Sequence, residues 1–368
     1  MAEPIMVACD LHDKTMLLKI ARGRGAAETL SVANTIPGRD KLIAELRRRS
    51  KAAKGAKVIF AYEASGQGFG LYDQLTAAGI TCHVLAPTKI ARSPQQGCQK
   101  TDEKDAILIL EVLRGHVLAG NRLPSVWIPD PQTRDDRELV RLRLDLAEKI
   151  TAVKAQVQGL LKRNNLKRPE GLGQGWTKKF WSWLDQLTTG ETLGWATRNT
   201  LASLLRQLRF LQEEIGRVEE QLSVLAYQPR YLPTLKRMTQ LSGVGVLTAL
   251  VFLTEVGDLG RFTNRRQISA YLGLVPRSYE SGDQKDRKGR ITRQGPSRVR
   301  RVLCQATWAR VRCDGPDHEH YQRLVAKNPK RKKIAVVAEM RRLAVRLWHC
   351  GRSSSQPPLR PTCRAPAV

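Results

Sequence analysis

The segment that decides the predicted fold is KVIFAYE, residues 57–63. Its apolar middle and terminal acid, Glu63, are typical of a buried strand whose last side chain reaches the edge of a sheet. An earlier apolar run, IMVAC at residues 5–9, is followed in the same way by Asp10, and TCHVLAP at residues 81–87 reads as a further strand. A helix is predicted between KVIFAYE and TCHVLAP. This order of strands and helices indicates a mixed α/β sheet with helices packed against it.

The remainder of the N-terminal region supplies more strands and helices. TMLLKIAR and AETLSVANTI, at residues 15–22 and 27–36, alternate partially and predict two strands, and a helical stretch follows at residues 39–49. TDEKDAILILEVLRGHVL, residues 101–118, predicts a helix for which Thr101 is the expected N-cap.

Four acids fall at the predicted ends of these elements: Asp10, Glu63, Asp102 and Asp105. Asp102 and Asp105 are three residues apart at the helix start, so both side chains point to nearly the same side. Converging carboxylates repel one another unless a cation neutralises them, and their hard oxygen atoms suit Mg²⁺, for which Mn²⁺ can substitute. Two such ions would clamp a phosphodiester. The structural alternative is that strands often end in acids and that acids at a helix start favour its dipole.

Charge indicates a polyanionic partner. The 368 residues include 63 lysines and arginines against 34 acids, a formal net charge of +29. Residues 261–368 hold 26 basic and 7 acidic residues, whereas residues 1–120 hold 17 and 12. This asymmetry predicts a nearly balanced N-terminal unit and a strongly basic C-terminal unit that contacts nucleic acid.

Other compositional features exclude several classes of protein. The seven cysteines are scattered without a CxxC pair, which argues against a disulfide framework and a zinc ribbon. No stretch approaches the length of apolar residues that a membrane helix needs, so a soluble, intracellular protein is expected.

The middle of the chain has the three-four spacing of a coiled-coil seam. The spacing is carried first by Leu139, Leu142, Leu146, Ile150, Val153, Val157 and Leu160, and then by Leu201, Leu204, Leu208, Leu211, Ile215, Val218, Leu222 and Leu225. The two seams either fold back as a hairpin or pair with other chains. Between them lie Trp176, Trp181 and Trp183, which either cover a helix junction, the favoured reading, or stack on bases.

Two features of the basic half predict phosphate contacts. Gly243 and Gly245 form a turn between helical stretches, resembling the hairpin of a helix-hairpin-helix element, whose helix amides suit a phosphate oxygen; a turn with no ligand is the alternative. A glycine-rich basic loop then leads into a basic helix after about Pro296. The cations predicted to bind phosphate are Arg287, Lys288, Arg290, Arg293, Arg298, Arg300 and Arg301.

The order of these features resembles a known family. Asp10, Glu63 and the Asp102-x-x-Asp105 pair precede the segments GVGVLTA, GDLGRF, AYLGLVPR, SG, GRITRQG and RVRRVL. This order is similar to that of the DEDD transposases of bacterial insertion sequences related to the invertase Piv, the one-ten insertion-sequence family. The resemblance extends to about residue 349.

The resemblance implies a domain organisation and a site. It implies a RuvC-like, ribonuclease-H-type domain at residues 1–130 whose four acids hold Mg²⁺. Residues 131–230 would form a coiled-coil linker region, and residues 231–350 a mostly helical transposase domain. Residues 351–368 lie beyond the resemblance, and their Pro-, Ser- and Arg-rich composition predicts a disordered tail. A Ser-Gly motif places the catalytic serine of that domain at Ser281.

The same resemblance implies a reaction and partners. Ser281 would form a phosphoserine link to DNA during cutting and rejoining, in a homo-oligomer, either a dimer or a tetramer, that acts on element ends and target DNA. Some family members are guided by a structured non-coding bridge RNA, which is therefore an expected partner. This sequence departs from the family at Glu280, where relatives often have a second serine, and at Arg293, where lysine is common.

Two other functions remain open on the sequence. A RuvC-like endonuclease or resolvase would use water as the nucleophile, and Ser281 would then be a turn residue. A non-catalytic nucleic-acid-binding protein would explain the charge but not four intact acids.

Overall fold

The computed structural model describes residues 2–91, 101–278, 288–327 and 329–352, with the side chains of residues 288 and 327 left aside. The chain divides into two units, Met1–Ile128 and Pro129–Val368. Within the described ranges, no helix combines the length and the apolar character needed to cross a membrane.

A five-stranded mixed sheet forms the centre of the first unit. Its strands lie in the order β3-β2-β1-β4-β5. They are β1 (Ile5–Leu11), β2 (Thr15–Arg22), β3 (Glu28–Ala33), β4 (Val58–Glu63) and β5 (Thr81–Leu85). The first three pair antiparallel, whereas β4 runs parallel to both β1 and β5. The predicted mixed α/β sheet is confirmed, and its architecture is compatible with a RuvC-like fold.

Helices cover both faces of this sheet. They are α1 (Ile36–Ala52), α2 (Gly70–Ala77) and α3 (Asp102–Ala119). The first two pack against the face that carries Val7, Cys9, Phe60 and Tyr62. Helix α3 packs against the opposite face through Ile109, Leu110 and Leu113, which contact Met6, Ala8, Ile59 and Ala61. Because side chains alternate along a strand, this second face is also the one that Asp10 and Glu63 share.

The start of α3 is fixed as the sequence predicts. The Thr101 side chain accepts a hydrogen bond from the backbone N–H of Lys104, at 3.3 Å. Such a cap satisfies one of the open amides of the first turn and contributes about 1 kcal/mol. The cap holds the first turn, which carries Asp102 and Asp105, at a fixed place on the sheet.

The second unit is mostly helical. Its helices are α4 (Pro131–Arg163), α5 (Lys178–Thr189), α6 (Trp195–Tyr227), α7 (Leu232–Met238), α8 (Val246–Val256), α9 (Arg265–Tyr271), α10 (Ser297–Arg312), α11 (Pro316–Lys327) and α12 (Lys332–Arg352). Two short strands, β6 (Pro276–Ser278) and β7 (Lys288–Ile291), pair antiparallel. The last helix therefore continues two residues past the expected start of the tail, and residues 353–368 lie outside the described part.

Helices α4 and α6 pack side by side as an antiparallel hairpin within one chain. At one end Arg143 Nε lies 2.8 Å from Glu219 Oε1, and toward the other end Val157 shares a buried cluster with Leu205. The expected seam is displaced at the start of α4, where Leu142 is 43% exposed while Val140 and Leu144 are buried. The reason is a second neighbour, because this part of α4 also packs against α8.

The basic segment that precedes α10 contains a β-strand that its glycine-rich sequence did not predict. Residues expected to form a continuous loop include strand β7, which pairs with β6. Helix α10 begins at Ser297, directly after Pro296, as predicted. Just before it, Gly295 adopts a φ of +74°, and a Cβ there would lie 1.8 Å from the carbonyl oxygen of Tyr271. Only glycine fits this close approach of two backbone segments.

A buried ion pair anchors α10 to α11. Arg310 and Asp317 are 5% exposed each, and the Arg310 Nε atom donates to Asp317 Oδ2 at 2.5 Å. Arg346 on α12 donates to the same oxygen at 2.9 Å. Burial opposes ionisation of Asp317, but the two guanidinium groups outweigh it and lower its pKa.

Candidate active site

Parallel pairing places two of the predicted acids next to each other at one edge of the sheet. In the register of β1 and β4, Cys9 lies opposite Tyr62, so Asp10 and Glu63 follow on adjacent strands. Their strands run in the same direction, and both acids belong to the face that α3 covers. Strand pairing alone therefore places Asp10 and Glu63 at the same edge of the sheet, whatever conformation the following loops adopt.

Helix α3 brings a third acid to Asp10. Single ligand atoms of Asp10, His12 and Asp102 all lie within 4.8 Å of one another. The His12 Nε2 atom is 3.0 Å from Asp10 Oδ2 and 3.4 Å from Asp102 Oδ1. Two carboxylates and one imidazole thus converge on a volume that one divalent cation could fill.

The electrostatics of Asp10 show that negative charge is concentrated there. Burial raises the pKa of Asp10, the nearby His12 opposes that shift, and the charges of Asp102 and Asp105 raise the pKa further. Asp105 is thus close enough to act on Asp10, although it is not among the three converging ligand atoms. A divalent cation would remove this repulsion, because carboxylate oxygens are the hard ligands that such ions prefer.

The loops around the acids are held by side-chain hydrogen bonds. The Asn34 Nδ2 atom donates to the carbonyl oxygen of His12 and to Gln67 Oε1, both at 2.7 Å. Gln67 Nε2 in turn donates to Asp13 Oδ1 at 3.0 Å, and Arg39 donates to Asn34 Oδ1. The turn after β1 and the loop after β4 are therefore tied together, which fixes the surroundings of Asp10 and Glu63.

His12, Asn34 and Gln67 were not predicted from the sequence. His12 had a detectable signal, because it follows Asp10 by two residues and such positions lie on one side of an extended chain. Asn34 and Gln67 had none, since their contacts depend on how two loops meet in space. Of the predicted acids, the structure brings Asp10 and Asp102 together, with Asp105 and Glu63 on the same side of the sheet.

Ser281 and Arg287 lie outside the described residues, as does the side chain of Lys288. The serine falls between β6, which ends at Ser278, and β7, which begins at Lys288. No distance between the serine and the acids follows from the structure.

Three of the predicted phosphate-binding arginines have partners within the protein. Arg298 lies 2.9 Å from Asp145, and Arg301 pairs with Glu148, both on α4. Arg300 donates to the carbonyl oxygens of Gln294 and Gly295 in the turn before α10 and to that of Leu272 at the end of α9, and burial lowers its pKa. Arg290 and Arg293 are exposed.

The two glycines of the predicted helix-hairpin-helix turn have different surroundings. Gly243 adopts a φ of +76°, and a Cβ there would lie 2.5 Å from the carbonyl oxygen of Ala306. Its lack of a side chain is therefore required for packing against α10. Gly245 precedes the first turn of α8, and a Cβ there would meet no atom within 4 Å.

Two family models match separate parts of the chain. A model for DEDD transposases of the IS110 group covers residues 8–165 and so includes all four acids. A second model, described as Transposase IS116/IS110/IS902 family, covers residues 235–322. The chain belongs to the IS110 family of transposases.

Several curated relatives are described as transposases. The putative transposase y4qE of Sinorhizobium fredii is 32% identical over 269 residues, which are 72% of this chain and 62% of that protein. The putative transposase y4rJ of the same organism is 27% identical, over 94% of this chain and 93% of its own length. The transposase for insertion sequence element IS1111A of Coxiella burnetii is 29% identical over 68% of this chain. The aligned part spans 65% of that last protein. This chain therefore matches less than two thirds of the length of y4qE and of the IS1111A transposase.

Proposed function

We propose that this IS110-family chain is the transposase of a bacterial insertion sequence, acting in the cytoplasm on DNA at the element ends and the target. The observation that carries the proposal is the convergence of Asp10 and Asp102 beside Glu63 and Asp105. Family membership alone would be compatible with a copy whose site had decayed. Acids brought together from β1, β4 and α3 support an intact site instead.

Asp10, Glu63, Asp102 and Asp105 are proposed to hold Mg²⁺, with Mn²⁺ as a substitute. The carboxylates that converge in the structure fit a hard divalent cation. Burial first, and then the charges of Asp102 and Asp105, raise the pKa of Asp10, and such an ion would neutralise the charges gathered there. When bound, the ion would polarise a phosphate oxygen and make the phosphorus more electrophilic. Asp10, which is mostly buried, would fix the position of that phosphate relative to the sheet.

Ser281 is the proposed nucleophile. Its Oγ atom would attack the scissile phosphorus, the deoxyribose oxygen would leave as a hydroxyl, and the hydroxyl proton of the serine would pass to solvent or a nearby base. One phosphodiester is replaced by one phosphoserine diester, so the bond energy is conserved. Attack of a second deoxyribose hydroxyl on the phosphoserine would reverse the exchange and join new strands without ATP.

Arg287, Lys288, Arg290 and Arg293 are proposed to bind the DNA backbone, together with the open amides of α8 after Gly245. Arg298, Arg300 and Arg301 are proposed to have a second, structural role, because each has partners within the protein. They would hold α10 and its preceding turn against α4, so that the exposed cations are presented from a fixed base.

Assembly into a dimer or tetramer and guidance by a bridge RNA complete the proposal. Support for assembly comes from the α4–α6 hairpin, which exposes Leu142 and Val224 to 43% and 69% on its outer side. A coiled-coil contact between two hairpins would cover these side chains. RNA guidance rests on the family resemblance.

A plasmid assay tests the metal-dependent part of the proposal. Purified protein is incubated with Mg²⁺, flanking RNA and a supercoiled plasmid that carries both element ends, and nicked, linear and recombined products are counted. Asp10→Asn is expected to lower their yield at least 100-fold, whereas Glu103→Gln, on the same helix turn as Asp102 but paired with Lys19, is expected to retain activity. Equal activity of the wild type and Asp10→Asn would remove the acids from the mechanism.

A further inference from the structure

The far end of the helical hairpin is a small folded unit with its own core. Helix α5 and the loop before it, residues 164–177, fill the space where α4 ends and α6 begins. Phe180, Leu184 and Leu201 are fully buried there, in a cluster separate from the main core of the second unit. Residues 154–209 are called the hairpin tip below. Neither family model reaches beyond its first twelve residues.

Positive charge at the tip is left unbalanced. Residues 154–179 contain seven lysines and arginines and a single acid, Glu170. Among the described residues, no acid forms an ion pair with the exposed side chains of Lys162, Lys167, Lys178 and Lys179. Nearer the base of the same hairpin, by contrast, Arg143 and Arg217 each pair with glutamates of α6. In the part of the chain that the structure describes, these four lysines therefore have no ion pair that would give them a structural role.

Side-chain contacts hold the loop at the hairpin tip in a defined shape. The Arg168 guanidinium lies over the Phe180 ring at 3.6 Å and donates to the carbonyl oxygens of Gly173 and Gly175. These contacts shape an open groove of about 850 Å³, whose lining includes Lys162 and Lys167. A groove of this size with lysines along its wall can take a phosphate backbone.

The tip also exposes an aromatic ring. Trp195, in the first turn of α6, is 75% exposed, although Leu193, two residues earlier, belongs to the buried cluster of the tip. An indole left in water forgoes the largest apolar burial that any side chain offers. An exposed tryptophan and unpaired lysines on one small folded unit are the combination that binds unpaired bases, because a ring stacks on any base while the cations contact the phosphates.

We propose that the hairpin tip binds a nucleic-acid strand with unpaired bases, its phosphates at Lys162, Lys167, Lys178 and Lys179 and a base stacked on Trp195. The Trp176, Trp181 and Trp183 side chains do not share this role, since they are partly buried against the core of the tip. Single-stranded RNA and single-stranded DNA both offer phosphates and unpaired bases, so either one fits this site. The site is independent of strand cleavage, so its test and that of the proposed function can fail separately.

The test measures binding of the full chain to a fluorescein-labelled oligouridylate, an oligothymidylate and a DNA duplex of equal length, by anisotropy over a range of salt. Trp195→Ala is expected to weaken binding of at least one single strand by roughly 5- to 150-fold, with Trp195→Phe retaining most of the affinity. Tyr227→Ala is the matched control, because this residue lies at the other end of α6 and is 74% exposed. It should bind as the wild type does.

The lysines are tested by a quadruple glutamine variant at 162, 167, 178 and 179. Loss of four phosphate contacts should reduce the slope of log K against log salt by about 3 for a single strand. A variant with the same charge loss at the exposed residues Lys41, Lys51, Lys54 and Lys57 of the first unit should leave the slope unchanged. Unaltered single-strand affinity in Trp195→Ala, or equal slopes for the two lysine variants, would overturn the proposal.

Discussion

Replacing Asp102 by asparagine should leave stability nearly unchanged without a divalent cation and should reduce the stabilisation that the cation provides. In the absence of the ion, Asp102 lies within 4.8 Å of Asp10, measured between ligand atoms. Two unit charges at that distance repel by about 0.9 kcal/mol in water and by about 3.5 kcal/mol at an effective dielectric constant of 20. The lower figure applies here, because the Asp102 side chain is 63% exposed.

Two losses offset this relief. Asparagine gives up the ionic contact to His12, which at such exposure contributes about 0.5 kcal/mol. It also gives up the favourable position of an acid in the first turn of α3, about 0.5 kcal/mol. In EDTA the variant should therefore unfold within about 1 kcal/mol of the wild type, or roughly 4 °C for a unit of this size.

A bound divalent cation should stabilise the wild type more than it stabilises Asp102→Asn. At a concentration 100 times the dissociation constant, binding stabilises the wild type by about 2.7 kcal/mol. If Asp102→Asn weakens binding tenfold, its gain falls to about 1.4 kcal/mol. Thermal unfolding followed by circular dichroism in EDTA, Mg²⁺ and Mn²⁺ at constant ionic strength measures both gains, with Glu103→Gln as the control that should behave as the wild type. Equal cation-dependent shifts in the wild type and Asp102→Asn would refute the assignment of Asp102 as a ligand.

Two further predictions concern the fold of the second unit and are measured by urea unfolding. Gly295→Ala should cost more than about 2 kcal/mol, because its left-handed backbone and the close Tyr271 carbonyl exclude a Cβ, whereas Gly245→Ala should change stability by less than about 0.5 kcal/mol. Similar values for the two alanine variants would show that the Gly295 turn is not tightly packed. Arg310→Met should cost at least about 2 kcal/mol by leaving a buried carboxylate short of one partner, while Arg312→Met, exposed on the same helix, should be nearly neutral. A neutral Arg310→Met would mean that the remaining arginine on α12 suffices.

Local signals explain why the first unit could be predicted in some detail. Buried strands read as apolar runs, Thr101 is a standard cap, and the carboxyl ends of parallel strands meet at one edge. Asp10 and Glu63 could therefore be placed near each other before any register was known. His12 was missed although its two-residue spacing from Asp10 places both side chains on one side of an extended chain.

Tertiary partners explain what the sequence could not supply. Leu142 fits a seam by spacing, but the packing of α8 on α4 selects Val140 and Leu144 for burial instead. Arg298 and Arg301 resemble the other cations of the basic segment in sequence. Only the folded chain shows that acids of α4 lie opposite them. A charge count cannot separate arginines that bind DNA from arginines that hold a helix in place.

Ser281 connects the two halves of the proposed chemistry, and a covalent adduct is the most direct measure of it. Protein, Mg²⁺, flanking RNA and radiolabelled element-end DNA are incubated, denatured and separated by electrophoresis. A labelled band at the mass of the protein should form with the wild type and with Ser278→Ala, and should be absent with Ser281→Ala and Asp10→Asn. Cleavage that persists in Ser281→Ala, with no adduct in any sample, would show that water is the nucleophile and that the chain is a hydrolytic nuclease.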